Sequence, residues 1–395
     1  MEKITFCIPS KSNLRYLKTC IPSIRENAYR KDHDIIVFVD SDEDGTIDWL
    51  ESVKDEYNVK YFVNPELGRQ LYGIGKAYDY CIEQSTTDIF MIFHADMMLG
   101  IDADLKAFNH LKEKTVVCAT RIEPPLHPNA GEKILIDFGI WPEEWKKTEF
   151  NKYVKGQLTN TKVTNGIFAP WMMYKKDFIY IGGHDAILKS CREDSDVFNR
   201  MLLAGYDFIQ PWNSLVYHLT GRGAGSFDGD KSRHEAWKTE MNNSTKEFIR
   251  KWGSNVKHSD LMLPIVSHKR NIAFVVKNCN LPLLEALEPW CDRIYVDEIF
   301  VVGRPHDYIE QEQSNTKFDL RKRVLNIGNN YPEGENDVVV VFDAGRVTDQ
   351  TFYLLQNMSD IITDTDNTGE FEIDCLTIII NSLETYEHNL IKVEK

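Results

Sequence analysis

The stretch "FHADMML", residues 93–99, sets an imidazole and a carboxylate two positions apart directly after the apolar run "DIFMI". About a hundred residues on, "REDSD" gathers Glu193, Asp194 and Asp196 ahead of an amphipathic run, and "LVYH" ends another apolar stretch on His218. A carboxylate and an imidazole brought together can hold Mg²⁺ or Mn²⁺, the latter accepting nitrogen as well as oxygen. A further carboxylate within hydrogen-bond reach of a hydroxyl can take its proton as it attacks. Taken singly, each feature has a plain structural explanation. Asp commonly forms turns, and acids at a helix start are favoured by the macrodipole. The order and setting of these residues are what point to chemistry.

Groups so far apart in sequence need a scaffold to gather them. "KITFCIPS" reads as a strand, and "NLRYLKTCIPSIREN" as a helix with Leu14, Leu17, Ile21 and Ile24 at spacings of three and four. "DIIVFVD" is a continuous apolar strand bounded by the turn-rich "SDEDGT", "IDWLESVKDEY" is helical, "VKYFVN" is a short strand, and "GIGKAYDYCIEQS" opens a helix after three glycines. Such alternation predicts an α/β fold, a mixed but mainly parallel sheet flanked by helices. In these sheets ligands gather at the carboxyl ends of the strands. Pro9, Ser10 and Lys11, then Asp40, then His94 and Asp96 all fall at such ends.

Residues 120–170 are irregular and rich in Trp, Pro and Lys. "DFIQPWNSLVYHLTGRGAGSFDG" reads as a strand ending at His218, followed by a Gly-rich loop carrying Arg222. "KSRHEAWKTEMNNSTKEFIRKW" is a long helix with Gly253 beyond its end. The polar stretch 254–270 marks a boundary, so the expected domains are 1–260 and 261–395. The second repeats the strand–helix alternation, with "NIAFVV", "RIYVD", "VVVVFD" and "DIITD" as strands. "LPLLEALEPW", "DQTFYLLQNM" and "DCLTIIINSLETYEHNL" are its expected helices. "ITFCIPSKSNLRYL" is echoed by "IAFVVKNCNLPLL", and "MIFHAD" by "VVFDAG".

The 395 residues exceed one ordinary core, which agrees with two domains. A formal charge of −15 argues against nucleic acid as partner. No run nears the roughly 18 apolar residues of a membrane span, and "MEKITFCIPS" has no signal-peptide pattern. The eight cysteines are scattered, without metal-like spacing, as expected of a cytoplasmic protein.

The succession "IPSKSN", "FVDSDEDGT", "NPELGRQLYGIGKAYDYC", "FHAD", "GGHD", "REDSD", "VYH" resembles the family 2-like glycosyltransferases of the GT-A fold, over roughly residues 3–225. The resemblance implies that Asp40 contacts the nucleoside base and that His94-Ala95-Asp96 stands where an Asp-x-Asp motif holds ribose and a divalent cation. It implies that His218 completes the metal site with Asp96, and that Asp194, with Glu193 second, is the general base. Pro9, Ser10 and Lys11 would border the nucleotide, Arg69 and Lys76 would approach phosphate or donor sugar, and Arg222 would clamp the departing diphosphate. Trp141 and Trp145 would stack on an acceptor sugar, whereas Trp171 and Trp212 are core residues. The expected activity is inverting, Mn²⁺- or Mg²⁺-dependent transfer from a nucleotide-sugar, a UDP-sugar by the resemblance, to a carbohydrate or glycoconjugate hydroxyl. Two alternatives stand beside it: a GT-A-like sugar- or partner-binding protein without turnover, and a nucleotidyltransferase, although "IPSKSNLRYL" lacks the glycines of that class. The C-terminal domain is expected to serve acceptor recognition or oligomerisation, or to be a degenerate transferase module.

Overall fold

A computed structural model describes residues 1–128, 131–220, 231–297, 305–328 and 334–393. The chain divides into two compact units. The first comprises Met1–Glu240, Lys257–Ile265 and the C-terminal residues from Lys392, and the second Met241–Val256 and Val266–Ile391. The chain passes from one unit to the other within the helix Lys231–Trp252, twice more within the polar stretch 254–270, and again after Ile391.

Eight strands form the main sheet of the first unit: β1 (Thr5–Lys11), β2 (Asp34–Ser41), β3 (Val59–Val63), β4 (Ile89–Ile92), β6 (Thr115–Cys118), β9 (Val163–Thr164), β10 (Trp171–Tyr174) and β11 (Asp207–Pro211). Their order is β3-β2-β1-β4-β10-β6-β11-β9. The strands β1 to β4 run parallel, and β10 lies antiparallel between β4 and β6. Because Ile35 to Val39 are all buried, β2 shows no polar alternation, as a strand covered on both faces requires. The helix Ile74–Gln84 packs on β1 and β2 through Ala77, Tyr78, Cys81 and Ile82. Trp171 and Trp212 are buried, as their apolar surroundings predicted.

A second, four-stranded sheet interrupts the sequence pattern. It consists of β5 (Met97–Leu99), β7 (Thr120–Glu123), β8 (Ile134–Leu135) and β12 (Leu215–His218), in the order β5-β12-β7-β8. The run "DFIQPWNSLVYH" is thus two strands in two sheets, broken by the turn at Trp212–Ser214, whose Ser214 N–H bonds back to the Pro211 carbonyl at 3.3 Å. The proline occupies the last position of β11, where it needs no further ladder donor.

The second unit holds β13 (Ile272–Lys277), β14 (Arg293–Val296), β15 (Val324–Asn326), β16 (Val338–Asp343), β17 (Gly369–Ile373) and β18 (Leu376–Ile380), ordered β15-β14-β13-β16-β18-β17. The first four are parallel, and the β17–β18 hairpin is antiparallel. Two sequence expectations fail here. "DIITD" belongs to the helix Met358–Thr363, and "LTIII" is strand β18 rather than helix. The β-branched run Thr377 to Ile380 prefers a pleated surface, while the four-residue "IITD" is too short for periodicity to arbitrate. The order β3-β2-β1-β4 followed by antiparallel β10 recurs as β15-β14-β13-β16 followed by antiparallel β18. Even the turn after the first strand recurs, with left-handed backbone at Ser12 (φ 53°) and Asn278 (φ 56°).

Candidate functional site

The small sheet explains why a buried strand ends on charged residues. After β4, Phe93 still pairs its N–H with the Cys7 carbonyl at 3.0 Å, and the chain then crosses to β5. His218 stands opposite Met97 in the antiparallel β5–β12 ladder, so its ring meets Asp96. One ligand atom from each of His94, Asp96 and His218 lies within 4.8 Å of the others. The His218 Nε2 is 3.5 Å from Asp96 Oδ1, and its Nδ1 is 2.8 Å from Glu123 Oε1 at the end of the neighbouring parallel strand β7. Glu123 is in turn held by Arg121 and Lys133, each at 2.9 Å.

Electrostatics separate the two imidazoles. Burial pushes His94 down to about 4, so it is neutral near pH 7. Burial acts the same way on His218, but Asp96 and Glu123 outweigh it and lift the ring to about 9. Glu123 is likewise buried, yet His218, Arg121 and Lys133 hold its carboxyl well below the usual range. The donor set fits a divalent cation. It offers one carboxylate and two imidazoles, and His218 has its Nδ1 engaged by a carboxylate, which turns Nε2 towards Asp96.

These groups open on a cavity of about 460 Å³ at the strand ends, within the usual range for small-ligand sites. Pro9, Ser10, Lys11, Asn13, Asp40, His94, Asp96 and His218 all line it. The Ser10 hydroxyl is buried without a hydrogen-bond partner. Asp40 is fully engaged: Oδ1 accepts from Asn64 Nδ2 (2.9 Å) and Tyr72 N (2.6 Å), and Oδ2 from Gly73 N (3.1 Å). Its carboxylate therefore pins the segment 64–73 over the strand ends.

Other expected residues lie elsewhere. Arg69 and Lys76 are exposed and outside the cavity wall, with the Lys76 ammonium 5.6 Å above the Tyr72 ring. The glycines near them allow close packing. A Cβ at Gly73 would come within 2.9 Å of the Lys189 carbonyl, and one at Gly75 within 2.9 Å of His184 Cβ. Trp141 lies beneath the Arg15 guanidinium at 4.5 Å, and Trp145 packs against Phe150, so neither reaches the cavity. Glu193 and Asp194 open the helix Glu193–Leu203, but the wall stops at Ser190. Glu193 Oε2 is buried without a partner, and burial together with Asp194 pushes its carboxyl up to about 8. Asp196 is committed to a buried ion pair with Arg200 at 2.8 Å. Arg222 lies outside the described residues.

Sequence reading missed Arg121, Glu123, Lys133, Phe168, Trp237 and Glu240, all in the wall. A signal existed for the first two. In "TRIE" charges alternate with Thr120 and Ile122 at the period of a strand, though the irregular composition around them hid it.

Residues 5–182 match the model for glycosyl transferase family 2. This segment is similar to that family over its whole matched length. Within it β1 to β4 run parallel, and the cavity opens at the carboxyl ends of β1, β2 and β4, where ligands gather in such sheets. Solved structures similar to this chain include GalNAc-T7 with UDP, GalNAc and Mn²⁺ (11% identity, TM-score 0.45, 63% of this chain and 48% of that one). Another is S. aureus TarS (13%, 0.41, 62% and 44%). The TarS segment 1–349 in complex with UDP matches similarly (13%, 0.41, 64% and 74%). The match thus spans about half the length of the first two. No curated protein matches the sequence. Among the described residues no helix is long and apolar enough to cross a membrane.

Proposed function

We propose that the glycosyltransferase unit moves a sugar from a nucleotide-sugar, a UDP-sugar, to a hydroxyl of a carbohydrate or glycoconjugate, with inversion and with a divalent cation. The observation carrying this reading is the meeting, in one cavity of a family 2 sheet, of residues 9–11 and Asp40 with the His94, Asp96 and His218 cluster. Asp96 and His218 are the cation's ligands, with His94 in reach as a third ligand or as a contact to ribose. When bound, Mn²⁺ or Mg²⁺ offsets the charge that develops on a departing diphosphate. Two imidazoles beside one carboxylate favour Mn²⁺. Ser10, with its buried hydroxyl unpartnered, is available to the nucleotide.

The acceptor hydroxyl needs a proton acceptor as it attacks. Burial and the neighbouring Asp194 push the Glu193 carboxyl up to about 8, which favours its protonated form and makes it the weaker candidate. The stronger is Asp194, the next residue of the same helix start, whose Oδ1 accepts the Ser195 N–H at 2.6 Å. A single base carboxylate gives direct displacement, hence inversion at the anomeric carbon.

Calorimetry of UDP binding with and without Mn²⁺, in the wild type and in Asp96→Asn, tests the reading. Mn²⁺ is expected to tighten UDP by about tenfold or more in the wild type and not in the variant. UDP binding indifferent to Mn²⁺ in the wild type would sink the metal assignment. UDP binding without hydrolysis or transfer of any UDP-sugar would reduce the unit to a binding module.

A further inference from the structure

Trp237 and Glu240 share one face of the helix Lys231–Trp252, a turn apart, and both line the cavity half-buried. The Trp237 indole stacks on the His234 ring, with centroids 5.9 Å apart and planes inclined by 25°. Glu240 Oε2 accepts a hydrogen bond from Ser190 Oγ at 2.6 Å. Ser190 belongs to the run that leads directly into the helix Glu193–Leu203. Glu240 is therefore tied to the segment that presents the proposed base.

We infer that Trp237 and Glu240 form the acceptor subsite, and that the acceptor unit bound there is a neutral pyranose sugar. The inference rests on the transferase reading above. In a direct displacement the incoming hydroxyl approaches opposite the diphosphate and beside the base. Ser10, Asp96 and His218 are claimed by nucleotide and cation, which leaves the Ser190, Trp237 and Glu240 side of the wall for the acceptor. A flat indole offers an apolar surface to the C–H face of a pyranose ring, with its polar N–H at one edge. A carboxylate has only acceptor atoms, so it suits the hydroxyls on that sugar. Its charge disfavours an acidic sugar at the same place.

The competing outcome is that the indole stacks on the nucleobase of the donor. Full-length protein decides between them, by calorimetry with UDP and Mn²⁺ and by saturation-transfer NMR. The NMR probes are methyl β-glucopyranoside, methyl β-galactopyranoside and methyl N-acetyl-β-glucosaminide, each with UDP and Mn²⁺ present. In the wild type at least one glycoside is expected to receive saturation. Its affinity should fall about fivefold or more in Trp237→Ala and Glu240→Gln, and less in Trp237→Phe, which keeps an aromatic face. UDP affinity should change by less than about twofold in all three, which also shows that they fold. A fall in UDP affinity confined to the Trp237 variants would overturn the inference in favour of the nucleobase. So would glycoside signals that are absent in the wild type or insensitive to all three substitutions, provided the wild type binds UDP. A wild type that binds no UDP removes the transferase reading itself.

Discussion

His218 sits between two carboxylates, Asp96 at 3.5 Å and Glu123 at 2.8 Å, and this decides its proton. Below its value of about 9 the ring is an imidazolium, and a cation must displace that proton to bind. Metal affinity should accordingly rise with pH, by about tenfold per unit between roughly pH 6 and 8. Titration of Mn²⁺ at three pH values checks this, and a flat profile would remove His218 from the ligand set. His94, held neutral by burial, adds nothing to that slope. The base assignment is equally exposed to test. Glu193→Gln keeps a neutral group where the carboxyl is already protonated, so transfer should persist near the wild-type rate at pH 7. Asp194→Asn should lose about 10²- to 10⁴-fold in kcat while UDP binding holds. Loss in Glu193→Gln with retention in Asp194→Asn would reverse the two roles. At this scale the sequence was informative wherever a side chain ended an apolar run. For Glu123 the alternation in "TRIE" signalled a strand, but nothing in "TRIEPPL" says which residue will lie beside His218.

The elements that gather these residues are short, and their close approaches are set by glycine. Gly73 has φ +95° and receives the Lys189 carbonyl, while Gly75 meets His184 and Glu193 across the helix Ile74–Gln84. Gly75→Ala sets two effects against each other. Helix propensity favours alanine by about 0.5–1 kcal/mol, but the new Cβ would stand 2.9 Å from His184 Cβ. His184 is itself anchored to Asp79 at 2.7 Å, so it cannot retreat. Overpacking should win, with a net loss of about 1–3 kcal/mol in urea unfolding and a displaced Glu193 helix start. An unchanged or stabilised variant would show that the contact yields freely. Helices with clear 3.6 periodicity and strands with continuous apolar runs were legible beforehand. Three of the four strands of the small sheet, all but the one ending at His218, were not, since segments of two to four residues carry too few positions for any period to register.

Across the whole molecule, the second unit repeats the strand order of the first with different residues at the strand ends. Where the first has Asp96, "FDAG" has Gly345, and Asp343 in the place of His94 bonds to Gly345 N (2.8 Å) and Asn278 Nδ2 (2.9 Å). Among the described residues His94, Asp96 and His218 form the one cluster fit for a metal. What the second unit has instead is a buried ionic network. Glu288, with no solvent exposure, accepts from Arg250 (2.7 Å), Arg323 (2.5 Å) and Tyr308 (2.9 Å). Burial would raise the Glu288 carboxyl, but Arg323 and Arg250 outweigh it and hold it below the ordinary value. A depressed carboxylate contributes stability above its unfolded pKa of about 4.5, and that contribution is lost as the pH falls below it. Glu288→Ala removes the one carboxylate partner of Arg323 among the described residues and leaves Arg250 only Glu247 and Glu312, and should cost about 3–5 kcal/mol by chemical denaturation at pH 7. The variant should also lose the acid sensitivity of that unit. A cost under about 1 kcal/mol would mean that water reaches the arginines.

By itself the sequence determined the α/β class, two units, a transferase-like succession of motifs and the strand-end positions of Asp40, His94, Asp96 and His218. Those are properties of local pattern: hydrophobic period, turn residues, and which side chain comes last on a strand. Only the tertiary structure decided that Glu123 orients His218, that Arg69, Lys76, Trp141 and Trp145 stand apart from the cavity, and that Trp237 and Glu240 complete its wall. Such juxtapositions depend on strand register and helix approach between segments far apart in the chain. A one-residue slip of β7 or β12 would by itself turn Glu123 or His218 to the other face.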